Sequence, residues 1–111
     1  MKKNLKRGDI YWVSFDPTVG TEIKKTRPSL IVSNNASNKM SSRIIVAPIT
    51  SNTTHLFPFE VEITINTKTG KVLLDQVRSI DKQRLGKYLS TLDQETMDQV
   101  DEALKIALSI P

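Results

Sequence analysis

The sequence has no cysteine and a single histidine, His55. Without cysteine the chain has no disulfide framework and no thiolate chemistry, which fits a cytoplasmic setting. It also lacks the ligands that a zinc site requires. A nuclease that uses two histidines as its acid and its base is excluded too, because one imidazole cannot fill both roles. His55 lies among Thr and Asn residues, and we interpret it as an ordinary surface histidine.

Long apolar runs are also missing, and none approaches the ~20 residues that a membrane-spanning helix needs. The basic N-terminus is followed at once by Gly8 and Asp9, so it does not resemble a secretory signal. The chain has neither a glycine-rich phosphate loop nor a Gly-x-Ser-x-Gly turn. With 111 residues, 38% of them apolar, we expect one globular domain over residues 1–111 that makes no membrane contact.

The net charge of +4 is unevenly distributed along the chain. Residues 93–111 carry five acids and one base, whereas the preceding 92 residues carry 15 bases and 7 acids. A basic body with an acidic tail favours a polyanionic partner on one face of the molecule. Basicity also serves solubility alone, so the charge is a prior for nucleic acid and nothing stronger.

Most of the chain has the pattern of short β-strands, bounded by turn residues. Strands are predicted at about residues 8–15, 28–34, 43–49, 59–65 and 71–80, with a short sixth strand at 86–89. Pro48 lies near the end of the third strand, and we expect strand pairing to stop there. The fourth strand alternates strictly, which predicts that Glu60 and Glu62 point outward. These two carboxylates could hold Mg²⁺, but a solvated polar stripe is the better supported interpretation.

The C-terminus predicts an α-helix at about residues 93–109. Asp93 is a suitable N-cap, and Leu92 and Met97 have the spacing of a hydrophobic staple. Apolar residues recur at helical spacing from Met97 onward, so this face belongs in a core. Several short strands followed by one helix predict a mainly β protein with a C-terminal α-helix, a small curved sheet resembling an SH3-like barrel. Such a sheet has exposed edges, and dimerisation commonly covers one of them.

Candidate site residues occur where three predicted strands begin or end. Pro28 restricts the backbone of Arg27, which holds this arginine at the rim of a strand, where a guanidinium suits a phosphate. Thr50 and Ser51 follow the third strand, and Asp75-Gln-Val-Arg78 lies within the fifth. An arginine and a hydroxyl allow phosphodiester cleavage without a metal if the substrate supplies the nucleophile, as RNA does with its 2′-hydroxyl. The alternatives stay open: solvated loop cations at Lys24, Lys25 and Arg27, and an Asp75–Arg78 ion pair.

Five short motifs, in order, resemble the MazF/PemK (Kid-like) endoribonuclease toxins of bacterial toxin–antitoxin systems. They are Arg7-Gly-Asp-Ile-Tyr, Asp16-Pro-x-x-Gly-x-Glu, Arg27-Pro, Pro48-Ile-Thr-Ser and Asp75-Gln-Val-Arg-Ser-Ile-Asp. The resemblance implies an SH3-like barrel, a cytoplasmic homodimer, and cleavage of single-stranded RNA at a specific sequence with no metal or other cofactor. The products it implies are a 2′,3′-cyclic phosphate and a free 5′-hydroxyl.

The resemblance also implies roles for individual residues. Arg27 and Thr50 would carry catalysis, and Glu22, Ser51 and Gln76 match positions near the RNA groove. The loop cations and the Asp-Gln-Val-Arg motif complete the expected RNA-binding set, namely Lys24, Lys25, Asp75 and Arg78. Some relatives have a histidine and an arginine where this chain has Thr21 and Leu73. Their acid–base assignment therefore does not transfer, and the role of Asp75 stays open.

The implied protein partner is an antitoxin whose acidic tail occupies the RNA groove, which the basic body would favour. One alternative is a non-enzymatic toxin of the CcdB type that binds DNA gyrase, in which case the Arg-Pro and Thr-Ser motifs would be idle. A weaker alternative is an inert RNA-binding module, for which exposed aromatic residues would be expected. Most of the six aromatic residues fall on strand positions that look buried.

Overall fold

The computed structural model describes residues 4–15 and 25–111. Its core is an antiparallel sheet with the strand order β4-β5-β3-β2-β1-β7, and β6 pairs with β3 off this path. The strands are β1 Asp9–Ser14, β2 Thr26–Ile31, β3 Arg43–Thr50, β4 Glu60–Ile65, β5 Lys68–Leu73, β6 Arg78–Asp81 and β7 Leu85–Thr91. The helices are α1 Asn35–Met40 and α2 Gln94–Leu108. A mainly β fold with a curled sheet and a C-terminal helix is therefore confirmed.

The single strand predicted at residues 71–80 is wrong, because two strands occupy this stretch. Leu74–Gln76 forms a 3₁₀ turn between β5 and β6, and Leu74 is fully buried. The turn separates two pairings, since β5 pairs with β4 and with the end of β3, whereas β6 pairs with the first half of β3. Because Leu74–Gln76 contains neither glycine nor proline, the sequence has no strong turn signal at this break.

The prediction that pairing stops at Pro48 is also wrong. Pro48 lies opposite Ser29 of β2, and β3 then continues as Ile49 and Thr50, which pair with Val72 and Lys71 of β5. Proline has no N–H group to donate, so it suits the position where β3 leaves one neighbour for another. The consequence is that Thr50 is held within a strand pair.

Two hydrophobic cores lie on opposite faces of the sheet. The first lies between the sheet and α2, and its buried residues are Ile10, Leu30, Ala47, Ile49, Val61, Ile63, Val72, Leu74, Met97, Val100 and Ala103. The second lies inside the curl of the sheet and consists of Tyr11, Val13, Phe15, Ile31, Ile44, Val46 and Ile80. Strand β1 contributes residues to both cores, because successive side chains of a strand point to opposite faces.

Helix α2 begins directly after its predicted N-cap. The Asp93 carboxylate accepts a hydrogen bond from Thr96 N at 2.9 Å. Hydrogen bonds from the Thr96 side chain and, to a smaller extent, from its backbone N–H lower the pKa of Asp93 below its usual 3.8. Ser109 ends the helix in the left-handed conformation with φ 54°. Met97, Val100 and Ala103 pack on the sheet, which leaves the acidic face of α2 on the side away from it.

Candidate functional site

Arg27 lies near the start of β2, opposite Val13 of β1. Its side chain is half-buried. Within the part of the chain that the structure describes, no hydrogen bond or ion pair engages the Arg27 guanidinium. The guanidinium has a permanent positive charge and five N–H donors, and it is therefore available to bind a ligand at the start of β2.

Thr50 is the last residue of β3, and Lys71 of β5 lies opposite it. The Thr50 hydroxyl accepts a hydrogen bond from Asn52 N at 3.2 Å, which leaves the hydroxyl proton available as a donor. Gly70 fixes the position of the Thr50 backbone, because a Cβ atom at residue 70 would lie only 2.9 Å from the Thr50 carbonyl oxygen. No other residue type lets β5 approach β3 so closely.

The strand register brings Arg27 and Thr50 to one face of the sheet. Side chains alternate along a strand, and residues directly opposite each other share a face. Arg27 shares a face with Ser29, which lies opposite Pro48, and Pro48 shares a face with Thr50. Val46 continues this face on β3 and lies opposite Arg78 of β6. We call this side of the sheet the Arg27 face; its members are Arg27, Thr50, Lys71 and Arg78.

Arg27, Thr50 and Ser51 also line a shared groove of about 480 Å³ where β2 begins and β3 ends. The other residues that line this strand-end groove are Trp12, Thr26, Pro28, Ile49, Ile65, Asn66, Lys68, Thr69, Gly70 and Leu89. The groove is mostly apolar, and Arg27 and Lys68 are its charged members. A charged guanidinium beside apolar surface interacts with an anion more strongly than it would in open water.

The other sequence-predicted site residues are dispersed. Lys25 is exposed, with φ 63°, and its carbonyl oxygen accepts a hydrogen bond from Phe15 N at 2.9 Å. Asp75 and Gln76 belong to the 3₁₀ turn after β5 and are not among the residues that line the strand-end groove. Glu22 and Lys24 lie outside the described residues.

Arg78 contacts an aromatic ring. Its guanidinium carbon lies 5.4 Å from the centroid of the Phe15 ring, a cation–π geometry. The alternative of an Asp75–Arg78 ion pair is wrong, because no such pair occurs in residues 4–15 and 25–111. The Arg78 charge is therefore neutralised by no carboxylate in this part of the chain.

Sequence reasoning missed a buried ion pair on the Arg27 face. Glu60 was expected to point into solvent, yet Lys71 Nζ lies 2.8 Å from Glu60 Oε1, and the two side chains are only 10% and 6% exposed. Lys71 also donates to the carbonyl oxygen of His55 at 2.6 Å. The pair joins neighbouring strands, so the sequence could reveal it only after the β4–β5 register was known.

Burial also changes the pKa of one titratable group in the second core, the phenol of Tyr11. Removal from water raises the pKa of the Tyr11 phenol to about 12, and the nearby charge of Asp9 and the ring of Tyr88 act in the same direction. Tyr11 therefore stays neutral at physiological pH. It packs edge-to-face against Tyr88 with ring centroids 5.4 Å apart.

Two negative findings hold for residues 4–15 and 25–111. No group of three or more His, Asp or Glu side chains is arranged to hold a metal ion. No helix there is long and apolar enough to cross a bilayer.

Comparisons with known proteins agree on one family. The model of the family described as "PemK-like, MazF-like toxin of type II toxin-antitoxin system" matches residues 6–108. Endoribonuclease EndoA of Bacillus subtilis (strain 168) is 41% identical over 111 residues, covering 96% of this chain and 96% of that protein.

Two solved structures share the fold. The crystal structure of MazF (Form-I) from Deinococcus radiodurans superposes with a TM-score of 0.84 at 28% identity, covering 97% of this chain and 99% of that one. An endoribonuclease in complex with its cognate antitoxin, from a mycobacterial species, superposes with a TM-score of 0.82 at 29% identity, covering 96% of this chain and 97% of that one.

Proposed function

The chain belongs to the family of PemK-like, MazF-like toxins of type II toxin–antitoxin systems, and from this premise we propose that it is an endoribonuclease that cleaves single-stranded RNA at a short specific sequence. A relative at 41% identity is named an endoribonuclease, which supports RNA cleavage as the activity. The basic body of the chain supports a polyanionic substrate. The cytoplasm, where mRNA is available, is its proposed location.

Cleavage proceeds without a metal ion by attack of the ribose 2′-hydroxyl on the adjacent phosphorus. The bond from phosphorus to the 5′-oxygen breaks, which leaves a 2′,3′-cyclic phosphate and a 5′-hydroxyl. The 2′-hydroxyl loses its proton, and the leaving 5′-oxygen gains one. Arg27 stabilises the negative charge that develops on the phosphate. Thr50 donates to a non-bridging oxygen or orients the nucleophile.

The observation that carries this proposal is the placement of Arg27. Its guanidinium has no hydrogen-bonding partner in the described part of the chain, yet it shares one face and one groove with the Thr50 hydroxyl. A charged group without a partner at a half-buried site is costly unless a ligand completes it. Phosphate has the geometry and charge to do so.

Other residues bind the RNA around this centre. Ser51 lines the strand-end groove beside Thr50, and the exposed Lys25 directly precedes Thr26, another residue that lines this groove. Arg78 extends the cationic surface along the Arg27 face. Glu22 and Lys24 precede Arg27 in the chain, and Asp75 and Gln76 belong to the 3₁₀ turn after β5. These four residues complete the proposed RNA-binding set.

The protein acts as a homodimer and is inhibited by a cognate antitoxin. A structural neighbour is described as an endoribonuclease in complex with its cognate antitoxin, which supports an antitoxin partner here. An acidic antitoxin segment would compete with RNA for the cationic Arg27 face.

Cleavage of a long single-stranded RNA in EDTA tests the proposal. The wild-type protein should cut at one short sequence and leave 2′,3′-cyclic phosphate and 5′-hydroxyl ends, which end-sequencing after selective ligation detects. Arg27→Ala should lower kcat by about 10²–10³-fold with the fold intact, because a stabilising donor is lost. Thr50→Val should also lower kcat, since it keeps the shape and removes the hydroxyl.

Arg43→Ala is the matched control. Arg43 lies at the other end of β3, where it is exposed and bonded to Ser79, so its loss should leave cleavage unchanged. Full cleavage by Arg27→Ala would refute the role of Arg27. An inactive wild-type protein that instead traps complexes of gyrase with DNA would favour the CcdB-type alternative.

A further inference from the structure

The loop between β3 and β4 presents an aromatic ring to solvent. Phe57 is 51% exposed, and neither Phe57 nor Phe59 belongs to the two hydrophobic cores. The two rings are stacked, with their centroids 5.4 Å apart and their planes 2° from parallel. The stacked pair therefore presents a flat apolar surface that another molecule can contact.

The backbone of Phe57 is fixed. Phe57 N donates to Glu60 Oε1 at 3.0 Å, and Glu60 N donates to the Phe57 carbonyl oxygen at 2.9 Å. Glu60 is held in turn by Lys71 Nζ at 2.8 Å. Lys71 also donates to the His55 carbonyl oxygen and lies 5.8 Å from the centroid of the Phe57 ring. One buried ion pair thus orders the loop from His55 to Glu60.

The ordered ring lies on the side of the sheet that carries the candidate catalytic residues. Lys71 lies directly opposite Thr50 and shares its face, and Phe57 lies over the end of the Lys71 side chain. The ring is therefore linked through Lys71 to the strand pair that holds Thr50. The neighbouring residues Leu56, Pro58 and Glu60 line a separate groove against α2.

We propose that one unpaired base of the RNA stacks on the Phe57 ring, and that the Lys71–Glu60 ion pair positions this ring. The proposal rests on the proposed ribonuclease function and adds a base subsite to it. Every base has a flat face, and a base can extend the parallel Phe57–Phe59 stack. Because the ring is already ordered, the RNA loses little binding energy to fixing it.

Kinetics with a short RNA that contains the cleaved sequence test the subsite. Phe57→Leu keeps an apolar side chain but removes the flat face, and it should raise KM by about 5- to 150-fold, the range for loss of one base–aromatic stack. The kcat value should stay within about threefold, because the reacting atoms lie at Arg27 and Thr50. Phe57→Tyr should restore KM.

Lys71→Met tests the positioning step. It should raise KM in the same direction as Phe57→Leu and speed hydrogen exchange of the Phe57 amide, and Lys71→Arg should restore both in part. A purely structural role would lower the melting temperature and the active fraction without changing KM. The matched controls are Leu108→Ala, an equally exposed apolar residue on α2, and Lys39→Met, an exposed lysine on α1.

Several outcomes would overturn the subsite. An unchanged KM in Phe57→Leu would overturn it. An equal rise in KM in Phe57→Leu and Phe57→Tyr would also overturn it, because tyrosine keeps the flat ring. Loss of antitoxin binding or of self-association with KM unchanged would make the ring a protein contact instead. Binding of a 2′-O-methylated RNA, measured by fluorescence anisotropy, separates the two proposals. If the wild type binds this RNA but never cuts unmodified RNA, the function fails, while the effect of Phe57→Leu on affinity still decides the subsite.

Discussion

At the scale of the residue, the role of a charged side chain depends on the groups that lie beside it. Asp93 illustrates this at the surface, where one carboxylate supplies the acceptor for the first N–H groups of α2. The Arg27 guanidinium has no hydrogen-bonding partner in the described residues and is therefore available for a ligand. Lys71 and Glu60 satisfy each other away from water. All three sites contain charged side chains, and they differ in the groups that surround each charge.

Asp93 gives the stability of α2 a defined dependence on pH. Hydrogen bonds from the side chain and the backbone N–H of Thr96 lower the pKa of Asp93 in the folded state. The stabilisation is therefore present above the unfolded pKa and is lost as the pH falls through the folded pKa. Thermal melts should show Asp93→Ala less stable than wild type at neutral pH, with the gap closing in acid. Asp93→Asn is the control, since an amide caps a helix without ionising. A gap that does not depend on pH would contradict the assignment.

Individual site residues were predictable where the neighbouring residues determine their placement. Pro28 and the apolar residues after it place Arg27 at the start of β2. Glu60 was not predictable, because alternation along β4 says which face a side chain occupies but not what covers that face. The partner, Lys71, comes from another strand through the register.

At the scale of the element, the contact between β3 and β5 holds the candidate site together. β3 changes partners at Pro48 and ends at Thr50, so only two residue pairs join it to β5. Gly70 permits this contact by leaving room for the Thr50 carbonyl oxygen. A small change in this short ladder should therefore move Thr50 relative to Arg27.

Gly70→Ala tests this coupling. The added methyl group would meet the Thr50 carbonyl oxygen at 2.9 Å, so β5 must shift at a cost of about 1–3 kcal/mol, the usual range for overpacking. We expect a lower free energy of unfolding in urea and a fall in kcat, since a displacement of about 1 Å costs catalysis as much as 10²-fold. Gly86→Ala is the control, because a methyl group there meets Trp12 at 3.4 Å. Unchanged kcat in Gly70→Ala would show that Thr50 tolerates the shift.

Elements were predictable in proportion to how local their causes are. Capping and periodicity within one segment predicted α2, since both act over a few residues. The 3₁₀ turn at Leu74–Gln76 was missed, because it depends on which strands flank the chain and leaves no glycine or proline as a signal. The polar segment from Asn34 to Ser42 contains α1, capped by Asn34.

At the scale of the whole molecule, the cationic Arg27 face and the acidic helix α2 lie on different sides of the sheet. The cations Arg27 and Arg78 belong to the Arg27 face, whereas α2, packed on the other core, carries the acids of residues 93–111. RNA bound to the Arg27 face therefore avoids the acidic helix. The sequence predicted the imbalance, and the sheet topology separates the two charges in space.

Salt dependence of RNA binding tests this separation. The logarithm of the affinity should fall linearly with the logarithm of the salt concentration, with a slope of about −0.7 per phosphate neutralised on a single strand. Arg78→Gln should reduce the magnitude of the slope by up to about 0.7, the contribution of one phosphate. Glu102→Gln on α2 should leave the slope unchanged. Affinity that does not depend on salt, measured by anisotropy with a labelled 2′-O-methyl RNA, would refute an electrostatic face.

The chain has one tryptophan, and it lines the strand-end groove together with Arg27 and Thr50. Trp12 is 37% exposed, so a molecule that enters the groove changes the solvation of its indole ring. Indole emission shifts to shorter wavelengths as water leaves the ring. The native protein therefore contains a built-in optical probe, and occupancy of the groove can be followed in real time without an attached dye.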